Sequence, residues 1–314
     1  MRLLTRLNTV RCLFAVCALI TIFASTNYFI RTRAQQQPQD DDVERVNSDL
    51  VLVNATVTDG KGKPVGGLRK ADFKLVEDSQ PQQISFFGAE STPFAAVILL
   101  DTSGSMEARM SMARAAAVRF VESLRPEDMV AVYRFDSEIV KLQDFSSTAN
   151  LSDRFFDTRA HGQTRLYEAI VMAARELAKR PERRKAIVVL SDGADTASLD
   201  TREKAADAAL AADAAIYGID MTQDGTGDRR DLQVAQILKS LSEKSGGLYV
   251  AAAGGPLLRE SCIRIVQELS QQYTIGYQPT NQNHDGHWRA IEIKLNRPEL
   301  KVRARKGYKA AKRK

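Results

Sequence analysis

Five oxygen-bearing side chains stand where they could share one ligand. An apolar run, Phe94 to Leu100, empties into Asp101-Thr102-Ser103-Gly104-Ser105-Met106, and a second, Lys185 to Leu190, into Ser191-Asp192-Gly193. Asp101, Ser103 and Ser105 alternate, so along an extended turn their side chains point to one side, with Gly104 permitting a tight bend. Thr164, in His161-Gly162-Gln163-Thr164, precedes a helical pattern and is expected at the same edge. Two carboxylates and three hydroxyls form an all-oxygen donor set without sulfur or imidazole. Such a set suits a hard cation, Mg2+ or Mn2+ most naturally and Ca2+ less so, and disfavours zinc. Two aspartates only just balance a divalent charge and hydroxyls add none, so a carboxylate from a protein partner would complete the coordination.

The surrounding pattern explains how these side chains could meet. Phe94 to Leu100 is apolar throughout, as a strand covered on both faces must be, and a helical stripe of Met110, Ala113, Ala117, Phe120, Val121 and Leu124 follows it. The alternation repeats: strand Met129 to Phe135, helix Leu166 to Leu177, strand Lys185 to Leu190, helix Glu203 to Ala214, strand Ala215 to Ile219, helix Leu232 to Lys244, strand Leu248 to Val250, helix Pro256 to Ser270. This rhythm implies an α/β fold, a doubly wound and mostly parallel sheet wrapped on both sides. In such a sheet ligands bind beyond the carboxyl ends of the strands, which is where the five residues fall.

Short alternating strands flank the α/β stretch. Leu50 to Thr58, Phe73 to Asp78 and Ile84 to Phe87 precede it; Tyr273 to Tyr277, Trp288 to Leu295 and Leu300 to Arg305 follow it. Three strands alone bury little, so the two sets are expected to pack together as one small β-sandwich interrupted by the α/β domain. The expected organisation is a β-sandwich part over 47–92, the α/β domain over 93–270, the second sandwich part over 271–308 and a basic tail over 309–314.

The amino-terminal end reads as a targeting segment. Arg2, Arg6 and Arg11 lead into the apolar run Leu13 to Ala24, the length of a signal-peptide core, and Thr32-Arg33-Ala34 would suit cleavage after Ala34. Extended to Ile30, the same run would serve as an uncleaved anchor. Export to a periplasmic or extracellular position, or tethering by residues 1–34, is therefore expected, with 35–46 as a Gln-, Pro- and Asp-rich linker. Removal of the segment would leave Cys262 as the one cysteine, and its neighbours Leu258, Ile265, Val266 and Leu269 predict a buried, inert thiol. The formal net charge is +6, but part of the excess lies at the two ends. With one Trp and no interleaved basic and aromatic stretch, nucleic acid is not an expected partner, and a membrane is reached only through the amino-terminal segment.

At the five chemical residues the sequence resembles the metal-ion-dependent adhesion site of the von Willebrand factor A superfamily. Asp101-Thr102-Ser103-Gly104-Ser105 matches the D-x-S-x-S element, Thr164 stands where the lone threonine is expected, and Asp192 stands in the aspartate-glycine element. The resemblance covers about residues 94 to 252. It implies a von Willebrand factor A-like, Rossmann-like fold, with the hydroxyls of Ser103, Ser105 and Thr164 touching a metal and Asp101 and Asp192 often acting through water. The flanks Leu52 to Asp59, Asp72 to Asp78 and Val302 to Tyr308 resemble the VWFA-related Acidobacterial domain proteins, an exported bacterial group.

Other chemistries fit less well. A helix N-cap would explain Ser105 but not the meeting of Asp101, Thr164 and Asp192 at one edge. A phosphotransferase of the haloacid dehalogenase type needs a second aspartate where Ser103 stands. A Ser-His-Asp hydrolase lacks its Gly-x-Ser-x-Gly elbow, and no G-x-x-x-x-G-K-[ST] loop follows a strand. His284 and His287 read as surface residues of a turn, and Asp195 and Asp220 as solvated loop or cap residues. The expectation is a non-enzymatic protein-binding module completed by a divalent cation. A structural envelope protein with a vestigial or merely stabilising metal site is the alternative, and a metal-dependent phosphohydrolase the third reading.

Overall fold

The computed structural model describes residues 50–312 apart from 90–91, 148–150, 193–194, 223–228 and 253, with the backbone alone for 229–234. The targeting segment and linker expected over residues 1–46 lie outside the described residues, as does Gly193.

A six-stranded sheet carries the α/β body. Its strands are β5 (Phe94–Asp101), β6 (Met129–Phe135), β7 (Ile139–Ser146), β8 (Arg184–Ser191), β9 (Ala214–Asp220) and β10 (Tyr249–Ala251), in the order β10-β9-β8-β5-β6-β7. Every neighbouring pair is parallel except β6 with β7. The unbroken apolar run of β5 is explained by its central place. Phe94, Ala96, Ile98 and Leu100 face one core with helices α1 (Met110–Glu122) and α6 (Gly255–Ser270). Ala95, Val97 and Leu99 face the other, with α3 (Leu166–Ala178), α4 (Arg202–Ala211) and α5 (Arg229–Ser245). A short helix, α2 (Asp153–Phe156), lies between β7 and α3.

Two further four-stranded antiparallel sheets pair amino-terminal with carboxyl-terminal strands. One has the order β13-β1-β11-β4, from β1 (Val51–Thr58), β4 (Ile84–Gly88), β11 (Tyr273–Tyr277) and β13 (Lys301–Ala304). The other has the order β14-β12-β2-β3, from β2 (Phe73–Glu77), β3 (Gln80–Gln82), β12 (Trp288–Leu295) and β14 (Gly307–Lys309). Val53, Ala55 and Val57 from the first sheet and Leu75, Ile291 and Ile293 from the second bury one shared core. The insertion of the α/β body into a β-sandwich is thus the observed topology.

Polar contacts lock the sandwich to the α/β body. Glu268 on α6 is fully buried and pairs with Arg303 of β13, while Gln272 donates to both Thr56 and Tyr217 at 3.2 Å. The chain also passes very close to itself here. A Cβ on Gly247 would stand 1.9 Å from the Ile216 carbonyl oxygen, and Gly246 has φ +82° with Arg305 N 2.4 Å from where its Cβ would be.

Four elements depart most clearly from the sequence expectation. The strand β7 is not anticipated because its alternation is half-exposed and it runs antiparallel at the edge, outside the strand-helix rhythm. The fourth helix stops at Ala211 rather than Ala214, since Asp213 takes φ +54° and Ala214 already belongs to β9. An alanine-rich stretch carries no periodic signal that would mark this boundary. The short strands β3 and β14 also escape notice, being three residues each.

Candidate functional site

Strands β5 and β8 are neighbours in parallel register, Leu100 opposite Leu190, so their carboxyl ends deliver Asp101 and Ser191 side by side. The Ser191 hydroxyl donates to Asp101 Oδ2 at 2.5 Å, and the Ser103 amide donates to Asp101 Oδ1 at 2.9 Å. Asp101 is fully buried. Its carboxyl is raised to about 7 on balance: burial pushes it up, the hydrogen bonds from Ser191 and Ser103 offset part of that rise, and the negative charge of Asp192 adds to it.

Backbone hydrogen bonds lash three loops into one surface. The His161 amide donates to the Thr102 carbonyl at 2.7 Å, and the Gly104 amide to the Gly162 carbonyl at 3.2 Å, tying the 161–164 loop to the one after β5. Thr196 and Ala197 amides both donate to the Thr164 carbonyl at 3.0 Å, and the Thr164 amide donates to Thr196 Oγ1 at 2.9 Å, tying the same loop to the one after β8. Thr164 is therefore buried between the segments that carry Asp101 and Asp192. Asp195 accepts from the Tyr167 amide at 3.1 Å and so caps the first turn of α3, as a capping role requires.

The serines meet in a way the sequence did not foretell. Ser103 is extended and buried, whereas Ser105 is exposed and sits in a 3₁₀ turn, Gly104–Arg109. Their hydroxyls nevertheless stand 3.1 Å apart. Neither Ser103 nor the residue before α1 makes a side-chain cap hydrogen bond, so the N-cap alternative is not what these hydroxyls do. Nor is Gly104 needed for the bend: a Cβ there would meet only the Gly162 carbonyl, at 3.7 Å. The conformational demand falls on Gly162 instead, with φ +72° and Ser137 Oγ 2.6 Å from where its Cβ would be.

Asp192 is almost entirely buried, and among the described residues its Oδ1 has no hydrogen-bond partner. Its Oδ2 lies 3.7 Å from Arg109 Nη1, and Arg109 also donates to the Ser105 carbonyl at 3.0 Å. A buried carboxylate oxygen with no donor is costly unless a further group meets it, and a bound cation is one such group. The donor set therefore fits a hard cation: one orphaned carboxylate oxygen, a second buried carboxylate and two paired hydroxyls, all oxygen. Asp101, Ser103, Ser105, Thr164 and Asp192 are the residues that could hold it.

Ser191 and Arg109 went unnoticed in the sequence. The parallel register of two apolar strands, each ending in a polar residue, is the signal that could have found Ser191. Asp220 corrects the reading of a solvated residue. It is buried beside Ser191 in register, and accepts from Tyr249 OH at 2.6 Å and from Thr222. His161, in the same loop as Thr164, has its Nδ1 3.5 Å from Asp136 Oδ2, which also accepts from Thr102 Oγ1 at 2.7 Å. His287 is exposed next to Asp285. Cys262 is buried, and burial pushes its thiol up to about 12, well away from nucleophilic chemistry.

Residues 96–194 match the family model of the von Willebrand factor type A domain. Among solved structures, the chain is similar to the PilB minor pilin of Streptococcus sanguinis at 17% identity and TM-score 0.45, over 59% of this chain and 63% of that one. It therefore spans less than two thirds of the pilin chain. It is also similar to an aerotolerance-related membrane protein of Bacteroides fragilis at 19% identity and TM-score 0.46, over 56% of this chain and 98% of that one. A von Willebrand factor type A protein of Catenulispora acidiphila aligns over 85% of this chain and 75% of its own, at 13% identity and TM-score 0.48. No curated protein matches.

Proposed function

Because residues 96–194 match the family model of the von Willebrand factor type A domain, we propose that the chain is an exported interaction module which binds a protein partner through one divalent cation. The ion, Mg2+ or Mn2+, is held by Asp101, Ser103, Ser105, Thr164 and Asp192. The observation that carries this reading is Asp192 Oδ1, a buried carboxylate oxygen without a donor among the described residues, at the loop surface where Asp101 and the Ser103-Ser105 hydroxyl pair also stand. A cation would satisfy that oxygen, and a carboxylate donated by the partner would complete its shell. Ser103, where an aspartate-nucleophile phosphotransferase needs a carboxyl acid, favours binding over catalysis. Export rests on the composition of residues 1–34.

The test is thermal unfolding after chelation, titrated with Mg2+, Mn2+ and Ca2+, for the wild type beside Asp101→Ala and Asp192→Ala. An ion present at 100 times its dissociation constant stabilises the fold by about 2.7 kcal/mol. Stabilisation of the wild type alone supports the reading, and capture of an acidic protein ligand that is lost in Asp101→Ala supports its second half. No response from any of the three would overturn it and leave a structural role for the loops.

A further inference from the structure

Arg109 closes the 3₁₀ turn beside the candidate cation site, and its side chain is only 20% exposed. Its Nη1 donates back to the Ser105 carbonyl and stands 3.7 Å from Asp192 Oδ2. Its Nε is buried and, like Asp192 Oδ1, has no hydrogen-bond partner among the described residues. A fixed positive charge is thus braced against one carboxylate oxygen while the other oxygen of the same group is left open. Without an ion, the guanidinium is the cation that offsets Asp192. With an ion on Oδ1, two cations share one carboxylate and repel.

We propose that Arg109 is a resident counter-cation, which holds Asp192 in place when no metal is bound and sets the metal affinity of the site below that of the five ligands alone. The inference rests on the divalent-cation reading above. A dication and a single charge about 6 Å apart, screened even as strongly as in water, interact by enough to change an equilibrium about tenfold. Arg109 therefore raises the concentration of metal at which the site fills.

The experiment measures binding of Mn2+ alone to the full-length chain by calorimetry, for the wild type, Arg109→Gln and Arg109→Lys. Arg109→Gln is expected to bind about tenfold more tightly than the wild type. Arg109→Lys, which keeps the charge, should stay within about threefold of the wild type. In chelator Arg109→Gln should melt below the wild type, and its melting temperature should rise more on adding Mn2+. Failure of Arg109→Gln to fold until Mn2+ is added supports the same reading. Failure to fold even with Mn2+, or unchanged or weaker binding beside a wild type that binds, overturns the counter-cation role and leaves the cation site standing. Absence of binding in all three proteins overturns both.

Discussion

Replacing Asp101 by Asn should stabilise the metal-free protein at alkaline pH. In chelator the folded state holds the Asp101 proton more tightly than the unfolded chain does, because its carboxyl is raised from 3.8 to about 7. A group raised in this direction contributes stability that is present below the unfolded value and is lost as pH rises through about 7. The span is roughly three pKa units at about 1.4 kcal/mol each, so ionised Asp101 costs the metal-free fold about 4 kcal/mol at pH 8. Asn removes that charge and keeps the local geometry. Its carbonyl can accept from the Ser103 amide as Oδ1 does, and its amide can donate to a Ser191 hydroxyl turned to accept. Allowing for imperfect replacement of one charge-assisted hydrogen bond, Asp101→Asn should gain about 2–4 kcal/mol at pH 8, or about 5–10 °C in melting temperature for a chain of this size. At pH 4.5, where Asp101 is protonated in the folded state, the gain should shrink to about 1 kcal/mol. Differential scanning fluorimetry at both pH values, with and without Mg2+, gives the answer. Saturating Mg2+ should stabilise the wild type and leave Asp101→Asn unmoved. A variant less stable than the wild type at pH 8 in chelator, or one whose gain is the same at both pH values, would refute the account of a buried carboxylate kept charged for a cation.

Three further perturbations test the scaffold. Gly247→Ala would drive a methyl group into the Ile216 carbonyl oxygen, 1.9 Å away, and should cost more than about 3 kcal/mol by urea unfolding; a wild-type midpoint would mean that this crossing is looser than described. Arg303→Ala strips a partner from the fully buried Glu268 and should cost about 3 kcal/mol, whereas Glu268→Leu with Arg303→Met should recover much of that loss in the same denaturation series. Cys262, buried and with its thiol pushed up to about 12, should resist iodoacetamide at pH 8 in the folded protein and react once urea unfolds it, which mass spectrometry of the tryptic peptide resolves.

Strand and helix periodicity made the α/β body legible because β5 and β8 are covered on both faces, and only continuous apolar runs can satisfy that position. That the two flanks join in one sandwich was legible for a different reason, although which strand pairs with which, as β1 does with β11 and β13, was not. Each flank has too few strands to bury its own apolar face, so joining them was the available solution. What stayed hidden depends on one residue's environment rather than on a repeating pattern. Asp220 reads as a polar loop residue in sequence, and one of the partners that accompany its burial, Tyr249, stands 29 positions later. Gly104 and Gly162 look alike as letters, yet only Gly162 takes a left-handed backbone, set by the crossing of its loop over Ser137. The candidate site shows the same division. Its oxygen donors follow from residue type at strand ends, but the charge that balances them does not. Arg109 lies four residues beyond Ser105, and the 3₁₀ turn between them folds its guanidinium back toward Asp192, nowhere near it in sequence. A donor set can therefore be read from a motif, while the affinity it delivers is decided by the neighbour that a turn brings back.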